Sequence, residues 1–142
     1  MTAPLLNQIN LVVADMAASV KFYERLGLVR DARMPMNDHH NEFHCGEMSL
    51  ELDSAAMAKA YNAGWSKGAA AGASVVIGFA VSSRAEVDRL YTDLIKAGRR
   101  GAQPPCDAFW GARYAIVLDP DGNQIGLMSP SDPARRSAPP AL

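Results

Sequence analysis

Residues 8–27 read QINLVVADMAASVKFYERLG, and residues 76–98 read VIGFAVSSRAEVDRLYTDLIKAG. Each stretch opens with a short apolar run and passes through a residue able to cap a helix. Apolar residues then recur at helical spacing, and a glycine ends the run. Val13 matches Val81 and Asp15 matches Ser83, an offset of about 68 residues. One half of the chain therefore repeats the plan of the other, a kind of symmetry that decides a fold before any single motif does. Strand followed by helix occurs only these two times, which excludes a doubly wound sheet of many βα units.

Working outward, Asp15 is placed to accept from the free N–H groups of a helix that Gly27 stops. Val20, Tyr23 and Gly27 form one stripe of that helix, with Ser19, Phe22 and Leu26 beside it. Ser83 and Glu86 have capping-box spacing. Val87, Leu90, Tyr91 and Leu94 make an apolar face, and Gly98 ends the second helix. Strands are predicted over 28–34, 41–45 and 48–53, the last two joined by Gly46-Glu47 as a two-residue hairpin loop. In the second half a weak strand is predicted over 98–103, ended by Pro104-Pro105. Strands over 113–118 and 123–129 follow, joined by the turn sequence Asp119-Pro120-Asp121-Gly122. The expectation is an α+β fold with the plan βαβββ twice: module one at 5–53, a linker at 54–73 and module two at 74–130. Residues 56–61 suit one or two helical turns, and 64–72 read as a mobile linker. The tail, 131–142, holds three prolines and two arginines with little to pack, and is predicted to be disordered.

Composition narrows the function. The chain has 142 residues, 49% hydrophobic and 20% charged, which is the profile of one folded domain. A net charge of -1 offers no positive surplus for a run of phosphates, so nucleic acid is not expected as a partner. No apolar run approaches the roughly 18 residues of a membrane span, and the first residues show no secretion signal. Cys45 and Cys106 match no zinc spacing and read as reduced thiols of a cytoplasmic protein. No nucleophile elbow, dinucleotide fingerprint or phosphate-binding loop is present. Cys106 has no histidine near it in sequence to activate it.

INLVVADMAASVKFYERLGL together with FWGARYAIVLDPDGNQIGLMSP resembles the vicinal oxygen chelate superfamily, which includes glyoxalase I, extradiol dioxygenases, and fosfomycin- and bleomycin-resistance proteins. The strand–Asp–helix–FYxxLG pattern and the DPDGN turn carry the resemblance together, from Leu5 to Pro130. It implies two βαβββ modules making a curved mixed sheet around a cup, and a homodimer. It also implies a metal site with one ligand from the first and fourth strand of each module. Carried over, those positions are Gln8, Glu51, Val76 and Gly126; metal-dependent members typically have glutamate at the last. Valine has no donor and glycine no side chain, while a catalytic divalent site wants about three protein ligands. No metal and no cofactor are expected.

Strand parity places further residues. Pairing across Gly46-Glu47 sets His44 against Ser49 and Glu42 against Glu51, on the face of Gln8; His39 and His40 read as loop residues. A four-residue Asp119–Gly122 loop sets Val117 against Gln124 and Ala115 against Gly126. Ala115, Val117 and Arg113 then share the inner face with Val76, Gly78 and Ala80. Phe109 and Trp110 precede that hairpin, and Trp65 lies in the linker. The bleomycin-resistance branch has a similar Trp-Gly pair and also lacks the metal ligands, which implies stacking of an aromatic ligand. The expected ligand-binding residues are thus Gln8, His44, Glu51, Phe109, Trp110 and Arg113, in a protein that sequesters an apolar or aromatic small molecule. The alternatives are a divalent-metal lyase, isomerase or dioxygenase using Glu51, Gln8 and His44, or metal-free acid–base catalysis by Glu51 or Glu42.

Overall fold

The computed structural model describes residues 8–61, 67, 76–138 and 141. The chain divides into two compact units, 1–69 and 70–142. The N-terminal unit runs β1 (Gln8–Val12), α1 (Met16–Leu26), β2 (Val29–Arg30), β3 (His40–Cys45), β4 (Met48–Asp53) and α2 (Ala55–Tyr61). The C-terminal unit runs β5 (Val76–Ala80), α3 (Arg84–Lys96), β6 (Gly101–Asp107), β7 (Arg113–Leu118) and β8 (Gln124–Met128). The sheet orders are β1-β4-β3-β2 and β5-β8-β7-β6, with the first pair of each parallel and the rest antiparallel. The α+β plan read from the repeat is the observed one, with α2 as an extra helix after β4.

Local chemistry sets the boundaries. The Asp15 carboxylate accepts from Ala18 N at 2.9 Å, and Gly27 closes α1 at φ 107. The Ser83 hydroxyl accepts from Glu86 N at 3.1 Å, while the Glu86 side chain pairs with Arg89 rather than reaching back to Ser83. Gly46, at φ 65, turns the β3–β4 hairpin in two residues.

Each helix buries one sheet face. Phe22 and Tyr23 of α1 meet edge-to-face at 5.1 Å, and Tyr23 lies 6.0 Å from Phe43 of β3. These rings are fully buried with Leu50 and Leu52 of β4. In the other unit Val87, Leu90 and Leu94 of α3 are buried with Ala115 and Val117 of β7 and Ile125 and Leu127 of β8. Each of the larger side chains contributes roughly 1.5–3 kcal/mol on leaving water.

Three expectations are corrected. The strand predicted over 28–34 is only Val29–Arg30. Pro104 and Pro105 do not end β6: it is an edge strand that continues to Asp107 with register shifts beside Gln103, and an edge tolerates a residue without an N–H. The tail is not disordered through residue 138. Asp132 N donates to Gly111 O at 3.1 Å, Pro133–Arg135 form a 3₁₀ turn, and Ser137 N donates to Phe109 O at 2.9 Å. Short polar segments can be held by backbone bonds alone, which composition does not reveal. Most of the linker, Trp65 included, lies outside the described residues. If the tail bonds matter, a chain ending at Pro130 will lose about 1–2 kcal/mol. Calorimetry should then show a melting temperature roughly 3–6 °C below that of the full chain; an equal value would mean the tail contributes nothing.

Candidate functional site

In the N-terminal unit the face opposite α1 is built by parity. β1 supplies Gln8 and Asn10, β4 supplies Ser49, Glu51 and Asp53, and β3 supplies His40, Glu42 and His44. The expected register across Gly46-Glu47 is observed, with His44 opposite Ser49 and Glu42 opposite Glu51. His40 is not a loop residue; it is the first residue of β3, opposite Asp53.

Asp53 organises this face. It is 1% exposed, and its carboxylate accepts from Asn10 Nδ2 at 3.0 Å and the Tyr61 hydroxyl at 3.0 Å. His40 Nδ1 lies 2.7 Å from its Oδ1. Burial pushes the Asp53 carboxyl upward, but the bonds from His40, Asn10 and Tyr61 outweigh it and hold the group below its ordinary value. Burial and the bond to Asp53 both raise the Tyr61 phenol. Glu51 accepts from Ser49 Oγ at 3.0 Å and Asn10 Nδ2 at 2.9 Å, and Gln8 Nε2 donates to Asn10 Oδ1 at 2.9 Å. A hollow of about 670 Å³ opens over this network, lined by Gln8, Asn10, Asn37, His40, Glu51, Asp53 and Tyr61 with Met34 and Met57.

His44 and Glu42 share the strand face but not the hollow. His44 is half-exposed, with Nε2 3.5 Å from Asp31 Oδ2. Glu42 borders a smaller hollow with Arg30, Asp31 and Arg33. One donor atom each from Asp31, Glu42 and His44 lies within 4.8 Å of the others. Asp31 is already engaged: the Arg33 side chain, with its backbone N–H, holds the carboxyl down at about 2.

The C-terminal face differs from expectation by one residue. Leu118 pairs with Gln124 and Ile116 with Gly126, so the loop is five residues long, not four. Asp119 makes the difference. Its carboxylate accepts from Asp121 N at 3.0 Å, Asn123 N at 2.8 Å and Asn123 Nδ2 at 2.9 Å, which draws Asn123 out of the strand. A one-residue shift exchanges the faces of β7. Arg113, Ala115 and Val117 point to the α3 side. Arg113 bonds Asp88 of α3 at 2.9 Å and Asp107 at 3.1 Å, on the face opposite to the one expected for it. Tyr114 and Ile116 come to the open face with Val76, Gly78, Gly126 and Met128. Phe109 and Trp110 meet edge-to-face at 5.0 Å, and Trp110 and Tyr114 at 5.4 Å, so the stacking pair expected from sequence is a cluster of three rings. A Cβ on Gly126 would lie 2.9 Å from the Tyr114 hydroxyl and 3.4 Å from Val76 Cγ1.

Sequence reasoning missed Asn10, His40, Asp53, Tyr61 and Tyr114. The signal for the first three was present, since parity from Gln8 and Glu51 reaches Asn10 and Asp53, and the hairpin register extends from Asp53 to His40. Nothing in the sequence marked Tyr61, which reaches Asp53 from α2.

Two βαβββ units, each with a helix on one face and an open face opposite, define a protein of the vicinal oxygen chelate class. The chain belongs to the Glyoxalase/Bleomycin resistance protein/Dioxygenase superfamily, whose model matches residues 5–127. Among solved structures it is similar to a glyoxalase-related enzyme from Fulvimarina pelagi, with 22% identity and a TM-score of 0.77 over 90% of this chain and 89% of that one. A glyoxalase/bleomycin resistance protein/dioxygenase from Nocardioides has 26% identity and a TM-score of 0.72 over 100% and 91%. A lactoylglutathione lyase from Agrobacterium tumefaciens has 20% identity and a TM-score of 0.66 over 91% and 96%. No curated protein matches. Among the described residues no helix is long and apolar enough to cross a membrane.

A carboxyl held below its ordinary pKa stabilises the fold above that ordinary value, near 4, and loses the contribution as pH falls. Asp53→Asn is therefore expected to cost about 2 kcal/mol at pH 6. Urea denaturation should show the gap from the natural chain narrowing toward pH 3; a gap independent of pH would mean that the charge of Asp53 is not what its partners hold.

Proposed function

We propose that this protein binds a small organic molecule on its open sheet faces without a catalytic divalent ion, as a homodimer in the cytoplasm. The observation that carries the reading is the surrounding of Gly126. Neither it nor Val76 offers a donor, and a side chain beginning at 126 would meet the Tyr114 hydroxyl at 2.9 Å. Gln8 and Glu51 remain as one amide and one carboxylate, a weak set for an ion that wants about three ligands. The group that the family implies does not fit the residues at these positions, so no step is derived through it. The cluster of Phe109, Trp110 and Tyr114 supports an aromatic or apolar ligand, since rings give contact area at little entropic cost. A metal-dependent lyase, isomerase or dioxygenase is the rival reading, and the donor set works against it. The homodimer rests on family likeness.

Protein purified without added metal is expected to contain far less than one Zn, Ni, Mn or Fe per chain by elemental analysis. A stoichiometric ion lost on Glu51→Ala would overturn the reading. Aromatic ligands should quench tryptophan fluorescence saturably without being turned over, and Trp110→Phe should remove the quenching. Sedimentation as a monomer at micromolar concentration would remove the dimer.

A further inference from the structure

The hollow of the N-terminal unit has an unequal hydrogen-bond inventory. Both N–H groups of Asn10 are used, on Glu51 and Asp53. Those of Asn37 go to the carbonyls of His40, at 2.8 Å, and Pro35, at 3.3 Å. Tyr61 gives its only proton to Asp53. An ionised Asp53 can only accept, so His40 Nδ1 carries a proton toward it. Each oxygen of Glu51 receives one bond and keeps a lone pair. Of the lining side-chain donors, one N–H of Gln8 is left over. Acceptors outnumber it.

Charge points the same way. Glu51 and Asp53 are acidic, and no lysine or arginine is among the described lining residues. The nearby Arg30 guanidinium donates instead to the carbonyls of Asp31, at 3.2 Å, and Met34, at 3.0 Å. Met34 and Tyr61 are exposed apolar groups on the same rim, 47% and 59% accessible. A methionine adapts to an irregular apolar body, and a tyrosine face attracts a cation.

We propose that this hollow takes a ligand that donates hydrogen bonds, an organic ammonium or amidinium group carried on an apolar body. The cation pairs with Glu51, whose two oxygens accept its N–H groups, while the body lies against Met34, Met57 and Tyr61. An organic anion is excluded from the same place, because two carboxylates would face it with one N–H of Gln8 to set against them. The inference rests on the small-molecule-binding reading and narrows it to one chemical class.

The test is a titration of the full chain by calorimetry and ligand-observed NMR with three probes of similar shape: benzylamine, charged at neutral pH, benzyl alcohol and benzoate. Benzylamine is expected to bind about tenfold tighter than benzyl alcohol, with benzoate weakest. Raising salt should weaken the amine and leave the alcohol nearly unaffected. Glu51→Gln keeps the side-chain shape and should bring the amine-to-alcohol ratio near one. Benzyl alcohol or benzoate binding as tightly as the amine, or a ratio that survives Glu51→Gln, would overturn the inference and leave the broader reading standing. Failure of all three probes to bind would count against both.

Discussion

A strand has two faces, and the length of the turn that follows decides which side chains occupy which. In the β3–β4 hairpin the two residues Gly46-Glu47 fix His40, Glu42, Ser49, Glu51 and Asp53 to the face away from α1. In the β7–β8 hairpin the Asp119 carboxylate gathers Asp121 and Asn123 into a five-residue turn, which sends Tyr114 and Ile116 to the open side and Arg113 to α3. A loop shorter by one residue would bury Tyr114 and Ile116 and expose Ala115 and Val117. The chemistry of each open face is therefore held by turn geometry as firmly as by the residues on the strands.

Asp53 does for its face what Asp119 does for its turn. It stands at the end of β4 and collects bonds from β1 through Asn10, from β3 through His40 and from α2 through Tyr61. A buried carboxylate is tolerated because every bond it needs is supplied by these neighbours. The same bonds set the state of the hollow. They consume the donors of Asn10 and Tyr61 and turn His40 Nδ1 toward Asp53, so a structural solution leaves the Glu51 oxygens as acceptors in the hollow.

Much of this was legible in the sequence. The repeat, both N-caps, the Gly27 stop and the two-residue hairpin follow from local rules that tertiary packing did not override. The reading failed where a side chain competes with the strand. Asn123 looks like the first residue of β8 until the Asp119 carboxylate is counted, and that single residue exchanges the faces of Arg113 and Tyr114. It also failed where the determinant is non-local. His40 is a strand residue because it pairs with Asp53, while His44, four residues along β3 toward the turn, lies outside the hollow and beside Asp31. The tail was misjudged from composition, since its anchors are backbone groups of Phe109 and Gly111.

Equivalent positions show how far the two units have parted. Asn10 pairs with Glu51 where Gly78 pairs with Gly126, and Val12 pairs with Asp53 where Ala80 pairs with Met128. One face carries carboxylates, amides and an imidazole; the other carries glycine, alanine, methionine and a tyrosine ring. A symmetric ion site asks both repeats for donors, and here only one has them. The scaffold is repeated, but the side chains on its two open faces are not: turn length fixes which residues face out in each unit, and the residue types there differ.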